Sequence, residues 1–569
     1  MKIVRRVRIR RAVGLLSPAI LLICLVLTYG VNVPYADQWV FIDAVAKLRA
    51  GEPLWKELFS QHNEHRMVFP KLVMIGLAWL TRWNVIAEMI VSVAVAGATL
   101  FTLMALAQPI LRDADRITRA WVPFILSAIV FSLTQWQNWL WGWQTAWFLA
   151  VLAAVSSIAL AARSLRSGRP WIWVVAAAAM AIVCQFSLAS GIAAWFATAL
   201  VLAFHPGRWR IIPVWFVLAA ATSALYFVGY TRPPHHPTLL AALDQPLALI
   251  LYMSGYLAGP LGSHAGLGLT AACAFVVLAG GVLRRHWHRR EHVVPWIAIG
   301  AFAGANALIT GIGRVGFGPS QGLESRYVTV SLLLSAALVP LGILARTDMK
   351  HGRLLQRVAS GAVPAVMLTA LVLAADVNSL VNFDRFSRTL SSGRDCLLVI
   401  DNASDACLTA LYPEPGVVRR LVLPLRSFGW SAFARQEAPP VPTVRLSGLG
   451  GVHVWRVEEF GSHYGWVDSV HIDSNRVTIA GWARHPSGRR GPRILVAVDD
   501  VIVAETDAVL ERSDVALHFH DPGLRRSGWM VRIGVLPQKT PPRRLRVYLA
   551  VNDEILVPIG FEQFVPYKE

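Results

Sequence analysis

Charge is what this sequence has least of. Only 15% of its 569 residues are Asp, Glu, Lys or Arg, against about 25% in a typical soluble domain. That excludes an ordinary water-soluble globular chain. Acidic residues are the scarcer sign, 34 against 54 basic ones, and the formal net charge is +20. In a soluble protein that balance would suggest nucleic acid. Here the basic residues fall in short clusters between apolar runs, and no basic and aromatic surface module is visible. The clusters therefore read as membrane-orientation signals, and nucleic acid is not an expected partner. Cysteine is sparse too, with five residues. No CxxC or Cys/His zinc spacing occurs. Cys24, Cys184 and Cys273 sit inside apolar runs as small core residues. Cys396 and Cys407 stand close together in the polar C-terminal third, where a disulfide is expected if that region lies outside the cytoplasm. Walker and kinase motifs are absent, which argues against an ATP-driven pump within this chain.

What is present is apolar length. The chain is 55% hydrophobic, with repeated runs of about 20 residues, enough to cross a bilayer. Residues 1–29 look like a signal peptide, basic then apolar. The apolar stretch 12–33 ends in no small-x-small cleavage site, so it reads as an uncleaved first span. Lys2, Arg5, Arg6, Arg8, Arg10 and Arg11 keep the N-terminus cytoplasmic. Basic loops then set the parity of segments 84–110, 120–134, 146–163, 171–187, 189–205, 210–229, 266–283, 293–312, 327–345 and 361–377. Parity excludes 67–82 and 246–262 as spans; the first reads as an interfacial helix, the second as a re-entrant or interfacial one. The expected fold is a polytopic α-helical membrane protein of about eleven spans in a bacterial inner (plasma) membrane, with its C-terminus outside. Residues 1–378 form the transmembrane domain with a first outer loop at 34–83. Residues 379–451 read as a mixed α/β linker. Residues 452–569 alternate apolar and polar, with turns such as Pro486-Ser487-Gly488, and predict an extracytoplasmic β-sandwich.

The chemistry-bearing residues crowd the outward loops. Asp37 lies just past the first span, where a carboxylate can take a proton from a hydroxyl or hold a divalent cation. It can equally cap the helix that follows. The same loop continues Gln61-His62-Asn63-Glu64-His65-Arg66. A solvated turn needs no such density of functional groups. His62 and His65, three apart, could share a helical face, but HxxH with no third ligand favours hydrogen bonding and phosphate contact over zinc. Residues 134–144 interleave Trp136, Trp139, Trp141 and Trp143 with Gln135, Gln137, Asn138 and Gln144. An interfacial aromatic belt explains the indoles; a sugar site would use indoles and amides together. A later outward loop carries Arg314 and ends at Arg326-Tyr327. Arginine there is an interfacial anchor or a planar fork for phosphate, and two of them flanking a glycine-rich loop favour phosphate.

This layout resembles the GT-C superfamily of membrane glycosyltransferases. Asp37 matches that superfamily's first-loop acid by position, and Tyr-Ala-Asp-Gln-Trp and His-Asn-Glu-His-Arg resemble strings in its uncharacterised bacterial members. The resemblance covers roughly residues 1–378 and is one of topology more than of motif. The acidic pair of many members is Asp37-Gln38 here, which leaves metal dependence open: the residues fix no cofactor, and a divalent cation, Mg or Mn, is an option. Gly481-Trp482-Ala483, Arg512-Ser513-Asp514-Val515 and Ser527-Gly528-Trp529 resemble β-sandwich modules attached to bacterial glycosyltransferases. The resemblance implies a polyprenyl-phosphate sugar donor in the membrane lipid and a glycan, lipid or protein acceptor outside. It implies inverting displacement, with Asp37 or Glu64 as base. Arg314, Arg326 and Arg66 would sit at the departing phosphate, and His62, Asn63, His65 and Tyr327 would bind substrate. Two other classes stay in view. A polymerase or ligase of lipid-linked oligosaccharides would place its key residues in one large later loop. A flippase would need polar residues within its spans and often inverted repeats.

Overall fold

The computed structural model describes residues 2–49, 53–233, 237, 241–262, 264–347, 363–400, 403–434, 443–448, 451–457, 464–473, 476–485, 491–519, 521–534, 543–551, 555–559 and 563–565. The chain divides into two compact units, Met1–Arg388 and Thr389–Glu569. Lys350, Arg353, Arg357 and the turn 486–488 lie outside the described residues.

The first unit is helical. Among the described residues, seven helical segments are long and apolar enough to cross a membrane: Val85–Asp113, Arg116–Leu140, Gly142–Ser164, Arg208–Phe227, Ala265–Arg285, Trp287–Phe317 and Ser325–Arg346. Their faces carry exposed Phe101, Val217, Val276 and Val277. Apolar side chains outside on long helices call for lipid as the solvent. Gly14–Tyr29, Pro170–Gln185 and Ala189–Leu202 are apolar but shorter, and a last long helix runs Val363–Leu398. Local sequence explains the ends. The Asn84 side chain accepts from Ile86 N, and Asp115 accepts from Ile117 N and Thr118 N, so each caps the helix that follows.

Segments 67–82 and 246–262 form the separate helices Val68–Thr81 and Pro246–Ala258. The first breaks sharply from the next helix, because Arg82 and Trp83 both take left-handed φ, 54° and 53°. Pro246–Ala258 packs backbone to backbone on Ala265–Arg285. A Cβ at Gly268 would stand 1.8 Å from Ser254 O, so only glycine permits that approach.

In the second unit, helix Pro415–Phe428 precedes ten strands: β1 Thr443–Gly448, β2 Gly451–Val457, β3 Gly465–Asp473, β4 Arg476–Ala483, β5 Arg493–Val498, β6 Val501–Asp507, β7 Gly528–Gly534, β8 Arg543–Ala550, β9 Ile555–Pro558 and β10 Gln563–Val565. The strand region thus begins at Thr443 rather than at 452. The order β10-β8-β5-β6-β1-β2-β9, with β8 also paired to β9, curls the larger sheet back on itself. β3-β4-β7 form a second sheet. Two cores result. Leu446, Trp455, Leu495, Ala497, Tyr548 and Leu556 form one. Ile494, Val496, Val498, Val531, Ile533 and Val547 form the other. β5 is buried on both faces, which is why 494–498 is a continuous apolar run.

Cys396 and Cys407 are joined by a disulfide, with Cα atoms 6.1 Å apart. Mass mapping of oxidised protein is expected to find them linked. Cys396→Ser with Cys407→Ser should destabilise this unit by about 2–3 kcal/mol, the chain-entropy value for so short a loop. Free thiols in the mapping would refute the pairing.

Candidate functional site

The first helix ends at Tyr29, and the chain turns through Ala36 at φ 46° into helix Gln38–Arg49. Asp37 sits in that turn. Its carbonyl accepts from Val40 N. Among the described residues no backbone N–H donates to its carboxylate, so the side chain does not cap the helix. Oδ2 instead stands 3.4 Å from His62 Nε2, with Asp37 one-third exposed. The His62 ring meets Trp143 edge to face at 5.0 Å.

His62 and His65 do not share a helical face. Each donates its N–H to the other's carbonyl at 2.8 Å, which makes residues 62–65 a tight turn. Asn63 takes φ 48° there, a conformation that Asn tolerates. Its Nδ2 lies 3.4 Å from His62 Nε2. His65 Nδ1 accepts from Ala189 N at 3.0 Å. The ring proton is therefore on Nε2, which faces Glu64 Oε1 at 3.4 Å. Glu64 also pairs with Arg314. Burial alone would raise the Glu64 pKa; His65 and the Arg314 guanidinium outweigh it and hold the carboxyl down to about 2. Burial lowers the His65 pKa, with Glu64 opposing. Glu64 is thus a committed carboxylate and His65 a neutral prop.

The turn is tied to neighbouring elements. Tyr226 Oη donates to Glu64 O and accepts from Arg66 N. The Arg66 guanidinium donates to the carbonyls of Phe59 and Val228. Gln61 exchanges hydrogen bonds with the backbone of Thr231. Lys71 Nζ, buried, donates to Glu57 O, Ser60 O and Ser60 Oγ, closing helix Leu54–Phe59. Arg66 therefore holds backbone.

Beneath Asp37 lies a carboxylate that the sequence reading passed over. Glu88 is fully buried. Gln38 Nε2 donates to its Oε2 at 2.7 Å, and Trp83 Nε1 to its Oε1 at 2.8 Å. One acidic residue in the apolar segment 84–110 was the available signal. The 141–143 loop covers this pair. Trp141 Nε1 donates to Tyr35 O, and a Cβ on Gly142 would meet Glu88 Oε2 at 2.1 Å.

The amides of 135–144 turn inward. Gln135 donates to Val130 O and accepts from Thr329; Asn138 donates to Arg326 O and Thr329 Oγ1. Gln137 meets Ser325 through its backbone N–H, and Gln144 is buried at a helix start. They join this loop to the start of Val328–Thr347. Tyr327 is buried against Tyr252, Tyr256 and Trp147. The Arg326 guanidinium lies over the Tyr327 ring and, among the described residues, makes no ion pair. It acts electrostatically on Tyr35. Burial raises the Tyr35 pKa, Arg326 opposes that, and Asp37 and Glu324 add to it. Asp37, Arg326 and Glu324 thus share one neighbourhood around Tyr35.

Comparison with protein-family models, curated proteins and solved structures finds no match for this chain.

Two expectations follow. The folded His65 pKa lies below its ordinary 6.5, so the unfolded chain takes a proton that the folded protein refuses. Stability therefore falls as pH drops below that value. Melting temperature should decline between about pH 7 and pH 5, and His65→Gln should flatten that decline; an unchanged slope removes His65 as its cause. Separately, Gly142→Ala should cost about 1–3 kcal/mol by overpacking. Gly97→Ala, whose Cβ meets nothing within 4 Å, is the control and should melt at or above the wild-type temperature.

Proposed function

We propose that this chain is an integral membrane glycosyltransferase, organised like the GT-C superfamily. It would move a sugar from a polyprenyl-phosphate donor to an acceptor outside the cytoplasm. The observation that carries this reading is the Asp37 carboxylate. It sits where the chain leaves the first helix, partly exposed, released from helix capping and set against His62. Glu64 is spent on Arg314 and His65, so Asp37 is the better base. By the same logic Arg314 is already neutralised, and Arg326 is the better grip for phosphate.

In the reaction, the acceptor hydroxyl gives its proton to Asp37 and its oxygen bonds to the anomeric carbon. The bond from that carbon to the phosphate oxygen breaks with inversion. The polyprenyl phosphate leaves with the electron pair, its charge balanced by Arg326. His62 orients the Asp37 carboxylate. Asp37 and His62 offer two donors to a Mg or Mn ion. Among the described residues no three His, Cys, Asp or Glu side chains come together to hold a metal. Eleven crossings of a bacterial inner membrane, N-terminus inside and C-terminal unit outside, belong to the same proposal and rest on the basic loops.

The test is transfer by purified protein across a panel of polyprenyl-phosphate sugars. Asp37→Asn should reach the membrane at normal level and melt normally, while transfer falls about a hundred- to ten-thousand-fold, the contribution of a general base. Near-normal turnover by that variant removes Asp37 as the base.

A further inference from the structure

A cleft of about 380 Å³ opens in the helical unit, at the small end of the range for small-molecule sites. It lies where Thr134 and Trp136, the turn at Gly259, residues 320–325 and residues 375–382 meet. The Asp376 carboxylate accepts from Ser132 Oγ, Leu133 N and Thr134 N. That bond set ties the last helix to the Trp136 loop, so the walls are held without a ligand. Trp136 lines the cleft and meets Phe386 edge to face at 5.4 Å.

Asn378, Asn382, Ser320 and Glu324 also face this space. Among the described residues their side chains make no hydrogen bond or ion pair. Two amides, a hydroxyl and a carboxylate are thus uncommitted beside a flat indole. Among the described residues no Lys or Arg lines the cleft, so its walls do not favour phosphate. Ser320, Glu324 and Asn378 are exposed and Asn382 half-buried, so water reaches them, and a purely apolar ligand would displace that water without replacing its hydrogen bonds. Hydroxyls with an apolar C–H face match what is there: amides and carboxylate bind hydroxyls, and the indole takes the ring face. The cleft is also next to Asp37. Phe386, which touches Trp136, meets Tyr35 at 5.1 Å, two residues before Asp37 in the chain.

We infer that this cleft binds an uncharged saccharide, the sugar end of the acceptor. This rests on the glycosyltransferase reading for the word acceptor, but the binding itself does not. The probes are methyl glycosides of neutral hexoses and their disaccharides, titrated into full-length protein in nanodiscs and read by saturation-transfer NMR. At least one should bind saturably. Asn378→Ala with Asn382→Ala should weaken it about tenfold or more, on the scale of losing one or two hydrogen bonds. Trp136→Ala should abolish it, and Gly97→Ala, where an added Cβ meets nothing within 4 Å, should bind as wild type. The asparagines lie at the cleft edge, so their variant stays informative if Trp136→Ala fails to fold. No binding by any glycoside overturns the inference, as does binding unchanged in the asparagine variant or competition by inorganic phosphate. Saccharide binding with no transfer from any donor keeps this site and sinks the glycosyltransferase reading. Transfer to a protein or lipid acceptor lacking sugar does the reverse.

Discussion

One end of the helical unit depends on the Glu64 carboxylate, held between Arg314 and His65. The contact joins residues 250 positions apart in sequence. It clamps the loop that follows the first helix to the end of helix Arg290–Arg314, and His65 carries it on to the backbone of Ala189. Removing either partner would leave a charge with little water to solvate it, which costs far more than the pair itself contributes. The loop is therefore fixed, and with it the position of His62 opposite Asp37. Because Glu64 Oε1 is taken by both Arg314 and His65, the more exposed carboxylate beside this turn is Asp37.

A second constraint acts below the first. At a membrane surface, polar groups that leave water must find partners within the protein. Glu88 finds Gln38 and Trp83, and Gly142 lets the tryptophan loop close over them. Gln135 and Asn138 find Thr329, and Arg66 finds two carbonyls. Residues that look like a sugar-binding or phosphate-binding inventory are thus largely consumed in holding irregular backbone. Among the described residues, Arg326 makes no ion pair, Asp37 meets His62 and is partly exposed, and the cleft beside Trp136 is lined by polar side chains without protein partners. Function is better sought among groups whose hydrogen bonds are unspent.

The C-terminal unit shows the same economy in apolar form. β5 serves two cores because the larger sheet curls and the smaller sheet lies on one of its faces. An alternating reading of neighbouring strands suggests one buried face. The unbroken run Ile494–Val498 is the place where the sequence already hinted at two.

By itself the sequence determined that the first unit is built of long apolar helices, since apolar length is a local property. It determined that Asp37 follows the first helix, and that Cys396 and Cys407 stand close enough to pair. It set 67–82 and 246–262 apart from the spans, but by length their helices fall in the same shorter apolar class as Gly14–Tyr29, Pro170–Gln185 and Ala189–Leu202, which were expected to cross. Only the tertiary structure decided how the side chains are used. HxxH reads equally as a helix face or as a tight turn until Asn63 takes its left-handed φ. Gln38 and Glu88 are 50 residues apart, and no spacing rule pairs them. Arg314 and Arg326 are alike in sequence and differ only in that one has Glu64 opposite it. The physical reason is common to all three. Propensity and hydrophobicity act over a few residues and are written along the chain. The pairing of a buried polar group depends on which distant segment arrives beside it, and that is set by the packing of the whole unit.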